Sequence, residues 1–278
     1  PRGIYALMTS PTEISARYDL TNRIFNAIAT RYERTNTLVS IGLNRLWQRK
    51  LISLVRKVSH LRILDLACGT GTLTRKLAKL GGAHVTGLDP SDSMLWEAAG
   101  RIPAETGRAP DNRTPAETGR APDNRTPAET GRAPDRPDIV YKKGYAESLP
   151  FADKSFQVIT VSYGIRNFAD RNAAFRQALR VLEPGGNLFI LEFSLKANAG
   201  FAMAMQRFYI GKVLPLLGWL STGKKEAYDY LGDTIASFPA PQVICRELEE
   251  AGFVQVSCTR LFPGVVVLFT GQKKVHNG

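Results

Sequence analysis

The stretch Asp65-Leu66-Ala67-Cys68-Gly69-Thr70-Gly71 decides the fold. It closes an apolar run, Arg62–Ala67, that predicts a strand, and it opens Thr72–Leu80, which predicts a helix. Glycines in such a turn let the backbone approach a ligand closely. A second strand, His84–Leu88, ends at Asp89, eighteen residues after Gly71, where an acid can accept both hydroxyls of a ribose.

A dinucleotide fingerprint would require a third glycine at position 74, where Thr74 stands. Such a ligand would also bring a pyrophosphate to the helix N-terminus, next to which Asp65 is unfavourable. A sulfonium cofactor carrying an ammonium group suits an acidic neighbour instead. S-adenosyl-L-methionine is therefore the expected cofactor, with Asp65, Gly69, Gly71 and Asp89 around it. The plainer reading of Asp65 and Asp89 is as turn and cap residues.

Outward from this turn, strands and helices alternate. Ser91–Ala99 reads as a helix with a serine or aspartate cap, and Ile139–Lys143 and Phe156–Ser162 as the third and fourth strands. Phe175, Ala178, Leu179 and Leu182 fall on one helical face, which Pro184-Gly185-Gly186 terminates. Asn187–Phe193 is nearly all apolar, as expected of a central parallel strand covered on both faces. A helical stretch from Phe201 to Ser237, a helix Pro241–Ala251 and a closing hairpin, Phe253–Arg260 with Val265–Thr270, complete the pattern. The expected fold is α/β: a doubly wound, mainly parallel seven-stranded sheet with a C-terminal hairpin and helices over residues 11–60 as an N-terminal cap.

Composition narrows the function. The chain has 278 residues, enough for one α/β domain, with 44% hydrophobic and 22% charged residues. No apolar run reaches the roughly 18–20 residues that span a bilayer. The N-terminus shows no basic-then-apolar leader, and Pro1–Ser10 is read as a terminal tail with Met8 as the expected start. Three cysteines without metal-ligand spacing suggest reduced thiols in the cytoplasm. Three histidines, His60, His84 and His276, disfavour a histidine-based triad or a metal site, so no metal is expected. The formal net charge of +12 suits a polyanion, either nucleic acid or an anionic membrane face, or is a solubilising surface. No basic block with interleaved aromatics is present, so no nucleic-acid partner is expected. Residues 102–137 hold three near-identical units, Ile102–Arg113, Thr114–Arg125 and Thr126–Asp135, each carrying PAETGRAPD. With two prolines, a glycine and almost no apolar residue, the unit reads as a flexible surface insertion.

Several further motifs give the chain a family likeness. Arg31-Tyr32-Glu33-Arg34-Thr35-Asn36 through Asn44-Arg45-Leu46-Trp47, then Ala146-Glu147-Ser148-Leu149-Pro150-Phe151, Ser162-Tyr163-Gly164-Ile165-Arg166-Asn167, Arg180–Gly186 and Leu191–Ser194 together resemble the UbiE/MenG family of ubiquinone/menaquinone C-methyltransferases. The likeness covers nearly the whole chain apart from Pro1–Leu7 and the insertion. It implies a single methyltransferase domain over 11–278, with a helical lid at 200–237, and cofactor contacts at Thr74, Asp89, Tyr145, Ala146 and Ser162. Three positions depart from the pattern: Tyr145 stands where the family has Asn or Asp, Asn44 where it has His, and Glu33 where it has Asp.

The resemblance further implies methyl transfer to a ring carbon of a polyprenyl quinol by a cytoplasmic enzyme touching the membrane surface, with a homodimer compatible. Arg166 would stabilise phenolate charge or orient a water, and Asn167 and Tyr32 would position ring hydroxyls. Surface or helix-start roles for these residues stay open. Phe201–Leu220 could line a tunnel for the isoprenoid tail, rest on the membrane or pack as a lid. Rival functions are a phospholipid or other small-molecule methyltransferase, a non-catalytic cofactor-binding scaffold and a nucleic-acid methyltransferase.

Overall fold

The computed structural model describes residues 18, 42–58, 61–100, 138–194 and 232–275. The terminal tail, most of the N-terminal cap with Tyr32 and Glu33, the repeat insertion and residues 200–231 of the lid lie outside them. Residues 232–237 are helical, as expected of the lid's end.

Seven strands form one sheet: β1 (Arg62–Leu66), β2 (His84–Asp89), β3 (Asp138–Lys143), β4 (Phe156–Ser162), β5 (Leu182–Phe193), β6 (Phe253–Leu261) and β7 (Val266–Lys273). Their order is β3-β2-β1-β4-β5-β7-β6. β1 to β5 run parallel, and β7 is antiparallel to both β5 and β6. Among the described residues, the helices α1 (Leu43–Val55), α2 (Thr72–Leu77), α3 (Asp92–Gly100), α4 (Arg171–Val181) and α5 (Pro241–Glu250) pack on the sheet. The strand order reverses between β1 and β4, so a crevice opens outside their C-terminal ends, the usual binding place of this architecture.

Strand alternation divides the core in two. Leu64, Ile159, Val161, Leu188, Ile190, Val267 and Phe269 face α4 and α5. Ile63, Val158, Phe189, Leu191, Val266 and Leu268 face α1, α2 and α3. On that parity Asp65 falls on the α2 side and Glu192 on the α4 side, each a charge in an otherwise apolar layer.

Several element ends differ from expectation, β7 for example running Val266–Lys273 rather than Val265–Thr270, and three of the differences have a plain cause. α2 ends at Leu77 rather than Leu80, because the next amides bond three residues back (Leu80 N to Leu77 O, 2.9 Å) and the chain turns at Gly82 with φ 72°. Ala67 leaves β1 with φ 52°. β5 starts at Leu182 rather than Asn187: Pro184 excludes the helical region for Glu183, so Leu182 belongs to the strand and not to the helical face. The Pro184-Gly185-Gly186 turn, with Gly185 at φ 79°, falls in the register shift between the Leu182–Phe156 and Asn187–Val158 pairs at the foot of the sheet. The expected cap of α3 is present: the Ser91 hydroxyl accepts from Met94 N at 3.2 Å.

Gly87 on β2 lies beneath the ring of Tyr141 on β3; an added Cβ would stand 2.7 Å from the ring carbon Cδ1 and 3.0 Å from Cys68 Sγ. Gly87→Ala is expected to lower stability by about 1–3 kcal/mol, as overpacking does, read from the urea midpoint at unchanged m-value.

Candidate cofactor and substrate site

The turn after β1 wraps over the end of β2. Cys68 N donates to Leu88 O at 3.1 Å, and Gly69 N donates to the Asp89 carboxylate at 2.8 Å. The two glycines serve different needs. Gly69 has φ 54° and nothing within 4 Å of an added Cβ, so its requirement is conformational and the space above it is open. Gly71 has φ 71°, and a Cβ there would stand 2.1 Å from the Tyr141 hydroxyl.

Asp65 is buried below this turn. One carboxylate oxygen accepts from Thr74 Oγ1 and the other from Thr160 Oγ1, both at 2.7 Å. The Thr74 hydroxyl, expected as a cofactor contact, is thus engaged by Asp65 and fully buried. Asp89 accepts Gly69 N on one oxygen and Ser91 N, at 2.9 Å, on the other. Desolvation pushes both carboxyls up to about 6, against hydrogen bonds that pull the other way. Burial also pushes the Cys68 thiol well up, with Asp89 and Asp65 adding to the shift.

Beside Asp89 the chain leaves β3, and Gly144 N donates to Asp89 O at 3.2 Å. Tyr145 follows, half-buried, with Ala146 and Glu147 buried. The Glu147 carboxylate accepts Ala169 N at 2.7 Å and Asp170 N at 3.2 Å, from the loop after β4, and burial raises its pKa. Arg180 fixes the same loop by donating to the carbonyls of Leu149 (2.9 Å) and Phe151 (2.8 Å). Ser162 ends β4 with its hydroxyl buried and without a hydrogen-bond partner.

Next comes a 3-10 turn, Ile165–Asn167, which Gly164 lets approach β1: a Cβ there would stand 2.5 Å from that of Ala67. Arg166 Nη1 donates to Glu192 Oε1 at 2.7 Å and to Tyr163 O at 2.6 Å, and the side chains of this ion pair are 2% and 0% exposed. Glu192 also accepts from Phe193 N at 2.8 Å. Asn167 N donates to Gly164 O at 3.0 Å. The Phe193 ring stacks on Tyr163 at 5.0 Å and meets the edge of Trp47 at 6.1 Å, while Trp47 Nε1 donates to Phe262 O at 2.7 Å.

The described residues therefore bring Asp65, Gly69, Gly71, Thr74, Asp89, Tyr145, Ala146, Ser162, Arg166 and Asn167 to one end of the sheet; Tyr32 lies outside them. Glu192, Thr160, Glu147 and Arg180 were not singled out as site residues. The signal for Glu192 was a lone charge inside an apolar run, which must find a buried partner; Thr160, one of several polar residues of β4, gave none. An open space over Gly69, acidic groups at β1 and β2 and an unpartnered hydroxyl at β4 fit an amino-acid sulfonium nucleoside; Asp65 beneath the turn does not fit a pyrophosphate.

This sheet order and acidic glycine turn define a class I S-adenosylmethionine-dependent methyltransferase. Solved structures share the fold: a Thermotoga maritima SAM-dependent methyltransferase at 19% identity, covering 91% of this chain and 99% of its own, with TM-score 0.56, and a Haemonchus contortus phosphoethanolamine N-methyltransferase 2 in complex with S-adenosyl-L-methionine at 13% identity, 81% and 52% coverage and TM-score 0.53. The model of the ubiE/COQ5 methyltransferase family matches residues 13–109 and 125–273. Ubiquinone/menaquinone biosynthesis C-methyltransferases UbiE of Shewanella halifaxensis and Shewanella oneidensis are 34% and 33% identical, each over 94% of this chain and 93% of their own. The chain belongs to the ubiE/COQ5 methyltransferase family.

Two outcomes follow from the charges. Because the folded carboxyls titrate near 6 and unfolded ones near 3.8, the folded protein holds protons that the unfolded chain has released, so this part of stability falls as pH rises from about 4 to about 6 and is level above. A cationic cofactor favours the ionised forms; its affinity should rise about tenfold per carboxylate from pH 5 to 7, with proton release measurable by calorimetry in buffers of different ionisation enthalpy and reduced in Asp89→Asn. Separately, Arg166→Ala strands Glu192 in the core and should cost about 3–5 kcal/mol in urea unfolding, whereas the double variant Arg166→Met/Glu192→Leu should recover most of it.

Proposed function

We propose that the enzyme transfers a methyl group to a ring carbon of a polyprenyl hydroquinone, the demethylated precursor of a menaquinol, a ubiquinol or both. The observation that carries this reading is the full-length similarity to ubiquinone/menaquinone biosynthesis C-methyltransferases, which takes in Arg166 and Asn167 after β4 as well as the cofactor turn.

Bound S-adenosylmethionine would supply an electrophilic methyl group on a sulfonium centre. Asp89, Gly69, Ala146, Tyr145 and Ser162 would hold it, with Asp65 adding negative charge from below the turn. The protein's further work is to orient the ring and to favour its ionised hydroxyl. Arg166, fixed by Glu192 and the Tyr163 carbonyl, brings a permanent cation to the mouth of β4, where it stabilises phenolate charge. Asn167 and Tyr32 would position ring hydroxyls. The phenolic proton passes to a water: His84, the sole histidine among the described residues, stands at the opposite end of β2 and pairs with Asp138 at 2.5 Å. Tyr163, Phe193 and Trp47 form an apolar wall suited to the ring and the first part of the isoprenoid tail. Net charge +12 and Phe262, 84% exposed on the β6–β7 turn at this same end, support peripheral contact with an anionic membrane surface.

The test is methyl transfer from labelled S-adenosylmethionine to chemically reduced demethylmenaquinol, with a demethylated benzoquinol and phosphatidylethanolamine in parallel. Label on a quinol ring carbon, falling about 10²-fold in kcat for Arg166→Lys, is expected. Label on the lipid amine, or on no acceptor, would sink the quinol assignment and leave the fold standing.

A further inference from the structure

Tyr18 stands in Arg17-Tyr18-Asp19-Leu20-Thr21-Asn22, and fourteen residues later Arg31-Tyr32-Glu33-Arg34-Thr35-Asn36 repeats the same order of arginine, tyrosine, acid, any residue, threonine and asparagine. The family likeness draws attention to the second copy, but it is the first whose tyrosine the structure places at the site. Tyr18 is helical and 3% exposed. Its phenol donates to the Glu147 carboxylate, 3.0 Å from one oxygen and 3.2 Å from the other. Its ring lies 4.8 Å from that of Tyr145, tilted by 50°.

Glu147 is the meeting point of three segments. It takes the phenol of Tyr18 from the N-terminal region, its own backbone belongs to the loop after β3, and it accepts the amides of Ala169 and Asp170 from the loop after β4. Those two loops flank the cofactor groups: Tyr145 and Ala146 precede Glu147 directly, and Ser162 and Arg166 precede Ala169. A carboxylate removed from water depends on each donor it keeps, so withdrawing the Tyr18 hydroxyl leaves Glu147 less satisfied and both loops less fixed.

We propose that Tyr18 is a positioning residue for the cofactor: through its contacts with Glu147 and Tyr145 it steadies the two loops that flank the cofactor groups and slows cofactor escape. The inference rests on the cofactor site built around Asp89 and Ser162. Tyr18→Phe removes the hydroxyl and keeps the ring, Tyr18→Leu removes both, and Tyr32→Phe tests the second copy of the pattern. Binding and dissociation of S-adenosylmethionine and S-adenosylhomocysteine are followed by calorimetry and stopped flow, alongside amide exchange over residues 145–148 and 165–170.

In Tyr18→Phe, dissociation is expected to quicken and the cofactor KM to rise about tenfold, the scale of a lost hydrogen bond to a charged group, with a smaller effect on kcat at saturating cofactor. Exchange at Ala169 and Asp170 should also quicken, while the midpoint of global unfolding moves little. Tyr18→Leu should exceed Tyr18→Phe. Unchanged cofactor dissociation in both Tyr18 variants, even with faster exchange, would leave Tyr18 a purely structural residue and overturn the proposal. The effect appearing in Tyr32→Phe but not in Tyr18→Phe would overturn it as well. Full cofactor affinity in Asp89→Ala would instead show that the site reading beneath the proposal is wrong.

Discussion

Burial of the Asp65 carboxylate governs the rest of the site. An ion taken out of water must be matched by donors, and here two threonine hydroxyls supply them, one from the first turn of α2 and one from the neighbouring strand β4. Those bonds set the angle at which α2 leaves the glycine turn and hold β1 against β4 where the strand order reverses. With that geometry set, the turn can close over the end of β2, where Asp89 accepts an amide from each side of the gap. Negative charge and open space then coincide at one place, and a cation is the ligand that relieves the cost of both acids.

The other half of the site uses the opposite arrangement. Arg166 and Glu192 neutralise one another in the layer beneath β5, and the pair acts as a rigid post rather than as a free charge. The end of the sheet therefore has two buried acids at the glycine turn and a charge-compensated pair after β4, with the Tyr163–Phe193–Trp47 rings beside it. For the proposed reaction of a cationic donor with an electron-rich ring, the acids would draw the donor while the held guanidinium would meet charge only as it develops on the ring.

Much of this was legible in the sequence, for identifiable reasons. The central strands read as apolar runs because helices cover both faces, and Phe156–Ser162 was bounded correctly on that ground alone. The glycine turn was legible because Asp65, Gly69, Gly71 and Asp89 lie close in sequence. The early start of β5 was not, since Pro184 and two glycines read locally as a break, while Leu182 before them already pairs with Phe156 of β4 and the strand bulges across the turn. Nor were the partners of Arg166 and Asp65: Glu192 is 26 residues from Arg166 and Thr160 is 95 from Asp65, and only strand register reveals such contacts. Thr74 was assigned to the cofactor by resemblance, whereas its burial ties it to Asp65.

The place where the repeats enter the chain has its own consequence. The repeats lie in the sequence between Gly100, the end of α3, and Asp138, the first residue of the outermost strand β3, beside His84 at the foot of the sheet. Both attachment points are therefore remote from the mouth where Asp89 and Arg166 lie. The closure entropy of a loop grows only with the logarithm of its length, so adding or deleting one unit changes little at such a point. A chain with one unit more or fewer would therefore keep the same groups at the ends of β1, β2 and β4.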